Sequence, residues 1–205
     1  MEAHSHHSTT QSMDHMVARL NDMFKSERLI YKAFEDTPQV HDFMRDLYSD
    51  PSVKGLSEFG ALKPVSKKDI DKLINFLIEK TLLAVLICLP STSPESKQTV
   101  IGYIAVKDKW NKVGELALCL SQGYQNKGYG REAINWAIDW AFLWGGVHRL
   151  GIEAMAFNER ALKLYRGIGF VEEGRMRGAA WADGAWYDVI AFGMLDHEWK
   201  QMRGI

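Results

Sequence analysis

Three extended, strongly apolar stretches in succession, residues 82–89, 100–106 and 113–120, most constrain what this chain can fold into. Each is short, and polar, turn-forming residues separate it from the next, the pattern of sequential strands in an antiparallel meander. The longest apolar run, 82–89, is well under the roughly 18 residues that cross a bilayer, so it reads as a core strand and no membrane partner is expected.

Helical periodicity flanks this meander. Upstream, residues 27–34 suit a first strand, and Asp36-Thr37-Pro38 opens a helix with Val40, Phe43, Met44 and Leu47 as its buried stripe. Ser49-Asp50-Pro51 stops that helix. Ser66 and Asp69 have capping-box spacing, and Ile70, Leu73, Ile74 and Leu77 mark a second amphipathic helix ending near Lys80. Downstream, a long helix follows Gly130, ends at Gly145-Gly146 and leads into a strand over 148–154, a β-α-β unit. Asn158 caps a short helix through Tyr165, Gly167 and Gly169 break it, and 170–176 and 186–194 read as two closing strands. The expected fold is α+β: a mixed, largely antiparallel central sheet of six to seven strands flanked by about four helices.

A chain of 205 residues, 46% hydrophobic and 25% charged with 5 prolines, is one globular domain's worth. The domain is placed at 27–205, with 1–26 a disordered or tag-like lead-in. That lead-in holds four of the 7 histidines, with no Cys or carboxylate constellation facing them, so no metal site is expected. Lys+Arg 25 against Asp+Glu 26 leaves a net charge of -1, which gives no bulk field toward nucleic acid. Cys88 and Cys119, inside apolar runs, read as small buried hydrophobes of a reducing, cytoplasmic compartment.

The chemistry centres on Gln125-Asn126-Lys127-Gly128-Tyr129-Gly130, between a strand and the long helix. Two glycines let several backbone N–H groups point at one place beside the positive helix end, an anion cradle, and Lys127 and Arg131 add charge suited to a pyrophosphate. Gly128-x-Gly130-x-x-Ala133, with Glu153 20 residues on, also fits a dinucleotide fingerprint. That fingerprint follows its strand almost immediately, whereas seven polar residues, 121–127, intervene here, and the elements before the loop look antiparallel.

The loop resembles that of the GNAT acyltransferase superfamily, a strand followed by Arg/Gln-x-x-Gly-x-Gly/Ala, which Gln125, Gly128 and Gly130 fill. A second motif, Asn158, Ala161, Leu164-Tyr165 and Gly169-Phe170, follows in the family's order, and Glu27-Arg28-Leu29 with Gly184-Ala185-Trp186-Tyr187-Asp188 resembles the RimJ/RimL-type branch. The resemblance implies acetyl-CoA as donor substrate. Its pyrophosphate would lie on Gln125, Asn126, Lys127, Gly128, Tyr129, Gly130 and Arg131, and its pantetheine arm along Leu118, Cys119 and Leu120 with Asn158 and Ala161 facing it. It implies Tyr165 as the acid that protonates the leaving thiolate. Glu115 is either the base, acting directly or through water, or an exposed strand carboxylate.

The implied activity is N-acetyl transfer to a primary amine by direct attack in a ternary complex. The amine belongs to a small molecule or a protein N-terminus; the alternative is a catalytically silent acyl-CoA-binding sensor or scaffold. Cys119 has no His or cationic partner nearby in sequence to make it a nucleophile. Asp42, Asp46 and Asp50 form either an acidic edge that attracts a cation or a solvated helix face, while Arg175 and Arg177 pull toward an acidic acceptor. Trp181 and Trp186 read as a substrate clamp or as packing. Trp136, Trp140 and Trp144 make a stripe buried either within the fold or in a homodimer contact.

Overall fold

Seven strands form one sheet in the computed structural model, which describes residues 13–14, 16–91, 93 and 98–205. The histidines of the lead-in, His4, His6, His7 and His15, lie outside the described residues. The strands are β1 (Ile30–Ala33), β2 (Thr81–Leu89), β3 (Thr99–Asp108), β4 (Val113–Leu120), β5 (Arg149–Met155), β6 (Val171–Ala182) and β7 (Ala185–Leu195), in the order β1-β2-β3-β4-β5-β7-β6. The meander β1 to β4 is antiparallel, as is β5-β7-β6. Only β4 and β5 among these pair in parallel, because the helix between them returns the chain to the same end of the sheet.

One face is covered by α1 (Pro38–Ser49), α2 (Pro51–Ser57) and α3 (Lys67–Glu79). Thr37 caps α1, accepting from the Val40 amide at 3.3 Å, and Val40, Met44, Leu47 and Tyr48 turn inward at helical spacing. Ser66 and Asp69 close the expected capping box at the start of α3, whose Ile70, Ile74 and Leu77 are buried against β2 and β3. Each such side chain contributes roughly 1.5–3 kcal/mol by leaving water. The opposite face carries α4 (Tyr129–Leu143), α5 (Glu159–Ile168) and α6 (Asp196–Arg203) over the larger core.

α6 and the length of β6 go beyond the sequence expectation, and four further features depart from it. Asp50-Pro51 stops α1 but also starts α2: the Asp50 carboxylate accepts from the Ser52 amide at 2.9 Å and proline occupies the first turn. Gly167 does not break α5, which runs to Ile168 and ends at Gly169, with φ 121. Its carbonyl receives Arg131 Nη1 at 2.8 Å, so the glycine is held inside the helix. In the segment expected as a disordered lead-in, residues 16–21 are helical, the Tyr31 amide donates to the Phe24 carbonyl at 2.9 Å, and Lys25 bridges Ile30. The tryptophan stripe divides: Trp136 is buried and stacks on Tyr31 at 3.6 Å, as packing within the fold requires, whereas Trp144 is exposed beneath the Arg19 guanidinium.

Candidate active site

The parallel pairing of β4 and β5 lasts three residues, Val113 with Arg149, Gly114 with Leu150 and Glu115 with Gly151. Beyond it β4 continues only with β3, and β5 only with β7, so the two strands part and the β4 edge over 116–120 faces a gap. A cavity of about 290 Å³ opens there. Its walls are Leu118, Cys119 and Leu120 of β4, Gln125, Asn126, Gly128, Gly130 and Arg131 of the glycine loop and the start of α4, Asn158, Ala161 and Tyr165 at and in α5, and Val53 and Ser57 of α2.

The loop is built for the start of α4. Gly128 is the N-cap residue at φ 84, a conformation that costs a residue with Cβ about 1–2 kcal/mol, and no side chain caps the first-turn amides. Those amides and the helix dipole favour an anion at this position. The Gln125 side chain donates through Nε2 to the Leu120 carbonyl at 2.9 Å, tying loop to strand. Asn158 Oδ1 accepts from the Ala161 amide at 3.2 Å, so the expected cap forms and the residue lines the cavity as well.

Two residues of the expected set have side chains turned to other partners. Lys127 and Tyr129 are not in the cavity lining: the Lys127 ammonium lies 5.5 Å from the Tyr124 ring centre, and the Tyr129 ring lies under Arg28 at 4.8 Å. Arg160 was not singled out by its sequence context and takes a wall position. Its guanidinium reaches Gln125 Oε1 at 2.8 Å and Asn126 Oδ1 at 3.2 Å, joining α5 to the loop across 34 and 35 residues of chain. No local periodicity signals a pairing of that range.

Tyr165 is packed edge-on against Phe170 and Phe192, and burial pushes its phenol up to about 12, so it stays protonated throughout the neutral range. Burial likewise pushes the Cys119 thiol up to about 12, with Ser57 opposing and Glu58 and Asp50 adding to it, which removes Cys119 as a nucleophile near neutral pH. Ser52 hydrogen bonds hold Asp50 below the usual carboxylate range, and Glu58 lies 3.7 Å from Lys54 Nζ.

Glu115 is not in the cavity lining. Its carboxylate meets Lys107 and Lys109, each at 2.9 Å; burial works to raise its pKa and the two ammonium groups outweigh it, leaving the carboxyl lowered and a weaker base. Asp46 and Asp50 line an adjoining depression with Phe43 and Val53, and Val53 is shared with the cavity. Arg175 is neutralised by Asp188 at 2.9 Å. Trp181 and Trp186 pack edge to face on each other, 49% and 65% exposed, outside the cavity lining.

No group of three or more His, Cys, Asp or Glu side chains suited to a metal occurs among the described residues. Nor is this a dinucleotide fold: Glu153 sits mid-strand opposite Ala191 of β7, in a sheet with one parallel pair among the described strands.

A split between parallel strands, with an uncapped glycine-bearing helix start in its wall, gives this α+β domain a cavity suited to an anionic ligand. Residues 59–170 match the acetyltransferase (GNAT) family, more than half of the chain, and the protein belongs to that family. The SPbeta prophage-derived uncharacterized N-acetyltransferase YokL of Bacillus subtilis is 30% identical over 112 residues, 54% of this chain and 63% of that protein. The spermidine N(1)-acetyltransferase of Vibrio cholerae serotype O1 is 30% identical over 79 residues, 38% of this chain and 46% of that protein. The chain thus spans 46% to 63% of the length of these two curated relatives. The crystal structure of spermidine N-acetyltransferase from Vibrio cholerae in complex with CoA and spermine superposes with a TM-score of 0.70 at 21% identity, covering 85% of this chain and 99% of that one, a likeness of fold. No helix among the described residues is long and apolar enough to cross a membrane.

Proposed function

We propose that the protein moves an acetyl group from acetyl-CoA to the primary amine of a small cationic molecule, in one ternary complex, as a cytoplasmic member of the RimJ/RimL-type branch. One observation carries this reading: the glycine loop, the unpaired edge of β4 and Tyr165 line a single cavity where β4 and β5 part. A diphosphate suits the loop amides, and an amide-bearing arm suits backbone groups of Leu118 and Leu120 left without a strand partner on the cavity side. Acetyl-CoA would supply the thioester to be attacked. Holding it beside the amine removes several kcal/mol of the barrier, roughly 7–11 in well-oriented cases.

Tyr165 acts in this reading as a hydrogen-bond donor to the departing sulfur. With its phenol near 12, full transfer to a thiolate of pKa about 8.5 is uphill by about 3.5 pKa units, ~5 kcal/mol, so the proton that finally rests on sulfur originates on the amine. Glu115, outside the cavity and held by two lysines, has no part in that transfer. For the acceptor, Asp46 and Asp50 in the depression adjoining the cavity favour a cation over an acidic amine, and a spermidine acetyltransferase among the relatives supports the same class.

Thermal unfolding with acetyl-CoA, followed by thiol release with spermidine or an N-terminal peptide, tests this. At 100 times its Kd the donor adds about 2.7 kcal/mol, roughly 5–10 °C in melting temperature. Tyr165→Phe should lower kcat by about 10²-fold or more and change the CoA Kd by less than about threefold. No stabilisation by acetyl-CoA overturns the reading. Stabilisation without thiol release would make the protein an acyl-CoA-binding sensor or scaffold, and acetylation of the peptide alone would move the acceptor to a protein N-terminus.

A further inference from the structure

Glu132 puts a negative charge in the first turn of α4, one turn from the loop that is read as the diphosphate cradle. Like charge there should weaken the binding of an anion. The carboxylate is nonetheless well satisfied: it accepts from the Arg28 amide at 2.6 Å, Arg28 Nε at 2.8 Å and Ser26 Oγ at 2.8 Å, and is 12% exposed. Burial works to raise its pKa, and these bonds outweigh burial and hold it ionised.

Arg28 does more than neutralise it. Its Nη1 donates to the Lys127 carbonyl at 3.0 Å, and its guanidinium lies over the Tyr129 ring at 4.8 Å. In a trans peptide the N–H points opposite to the C=O. Arg28 on the Lys127 carbonyl therefore fixes the Gly128 N–H toward the other side of the loop, and Gly128 is a cavity residue. The same guanidinium occupies the space a side chain at 128 would take, with Nη2 3.1 Å from the place of a Cβ. Behind it, Ser26 also bonds the Tyr31 hydroxyl at 2.9 Å, Tyr31 stacks on Trp136, and the Trp136 indole N–H donates to the Met23 carbonyl at 2.8 Å. The segment 23–28 is thereby clamped to α4 from its first turn to its second.

The geometry points to Arg28 and Glu132 as a positioning pair for the donor's diphosphate: Glu132 anchors Arg28, and Arg28 both cancels the Glu132 charge and aims the Gly128 amide at the ligand. This rests on the acyl-CoA reading of the cavity. The pair lies outside the cavity lining apart from its contacts through Lys127 and Gly128, so its effect should follow the diphosphate and not the thioester.

The test compares two donors, acetyl-CoA and S-acetylpantetheine, which has the thioester and arm but neither diphosphate nor adenosine. For Arg28→Ala, the ratio of kcat/KM for acetyl-CoA to that for S-acetylpantetheine should fall on the order of tenfold, the scale of one charge interaction at a helix start. Glu132→Gln combined with Arg28→Ala should recover part of that ratio, since it removes the uncompensated carboxylate. Arg28→Lys, which keeps the charge but not the two-way fork, covers the case in which the alanine variant is too unstable to assay, and should show a smaller fall of the same sign. Equal loss with both donors, or an unchanged ratio in Arg28→Lys and in the double variant, overturns the proposal. If the unaltered protein binds neither CoA nor acetyl-CoA, the failure lies in the donor reading, because no ratio exists to change.

Discussion

Gly128 and Gly130 stand two residues apart in one loop, and alanine should act on them with opposite sign. At Gly128 the backbone holds φ 84, which costs alanine about 1–2 kcal/mol. The new Cβ would lie 3.1 Å from Arg28 Nη2, and that guanidinium is held by Glu132 and the Lys127 carbonyl, so the shift it must make adds to the backbone cost. Gly130 is not among the positive-φ residues, and a Cβ there would meet Leu118 at 3.5 Å, Leu120 at 3.7 Å and Leu164 at 3.8 Å, ordinary contacts. Alanine in a helix gains up to about 1 kcal/mol over glycine, less in a first turn. For a chain of this size 1 kcal/mol is roughly 2–4 °C, so Gly128→Ala should lower the melting temperature by about 2–8 °C while Gly130→Ala leaves it unchanged or raises it by up to about 4 °C. Urea titration should place the difference in the midpoint with a common slope. If Gly130→Ala proves as destabilising as Gly128→Ala, backbone conformation is not what selects glycine at 128.

Glu115→Gln should change kcat by less than about threefold, since the carboxylate is paired with Lys107 and Lys109 outside the cavity; a loss of about 10²-fold would restore it as the base. Asp69 is held near 2, chiefly by the Ser66 hydroxyl, and Glu132 lies below its ordinary value, both under their unfolded values of about 4. Their contribution is therefore complete above pH ~5 and is lost as pH falls toward 2; melting temperatures across pH 2–6 should decline toward acid, and less so in Ser66→Ala. Ser66→Ala should itself cost about 0.5–2 kcal/mol at neutral pH through loss of the cap, read as a lower urea midpoint.

Much of the fold was legible because its signals are local. β2, β3 and β4 fall within two residues of where alternation and turn residues put them, Ser66 and Asp69 form the box their spacing implies, and Asn158 caps α5. α2 was hidden because Pro51 ends one helix and begins the next, two roles with the same residue signature. α6 was hidden because only Trp199 of its eight residues is buried, too little for a periodic stripe. At the site, the cavity walls over 118–120, 125–131 and 158–165 largely coincide with residues that the strand and the two motifs single out in the chain. Arg160 on Gln125 and Asn126, Arg28 on Lys127, and Val53 and Ser57 in the wall are encounters between distant segments, for which a chain carries no local mark.

The sheet separates the two sets of helices into two cores, α1 to α3 on one side and α4 to α6 on the other, and the cavity is where both reach the same β4 edge. On the acetyl-CoA reading the donor residues come from one stretch of chain, 118–165, and the Val53 and Ser57 wall from another. Substitutions on the two sides share few neighbours, so their free energies should add. On the acetyl-transfer reading, a lineage could therefore exchange one amine for another by rewriting residues 36–58 while the other half of the cavity stayed as it was, and a designer could screen that segment alone.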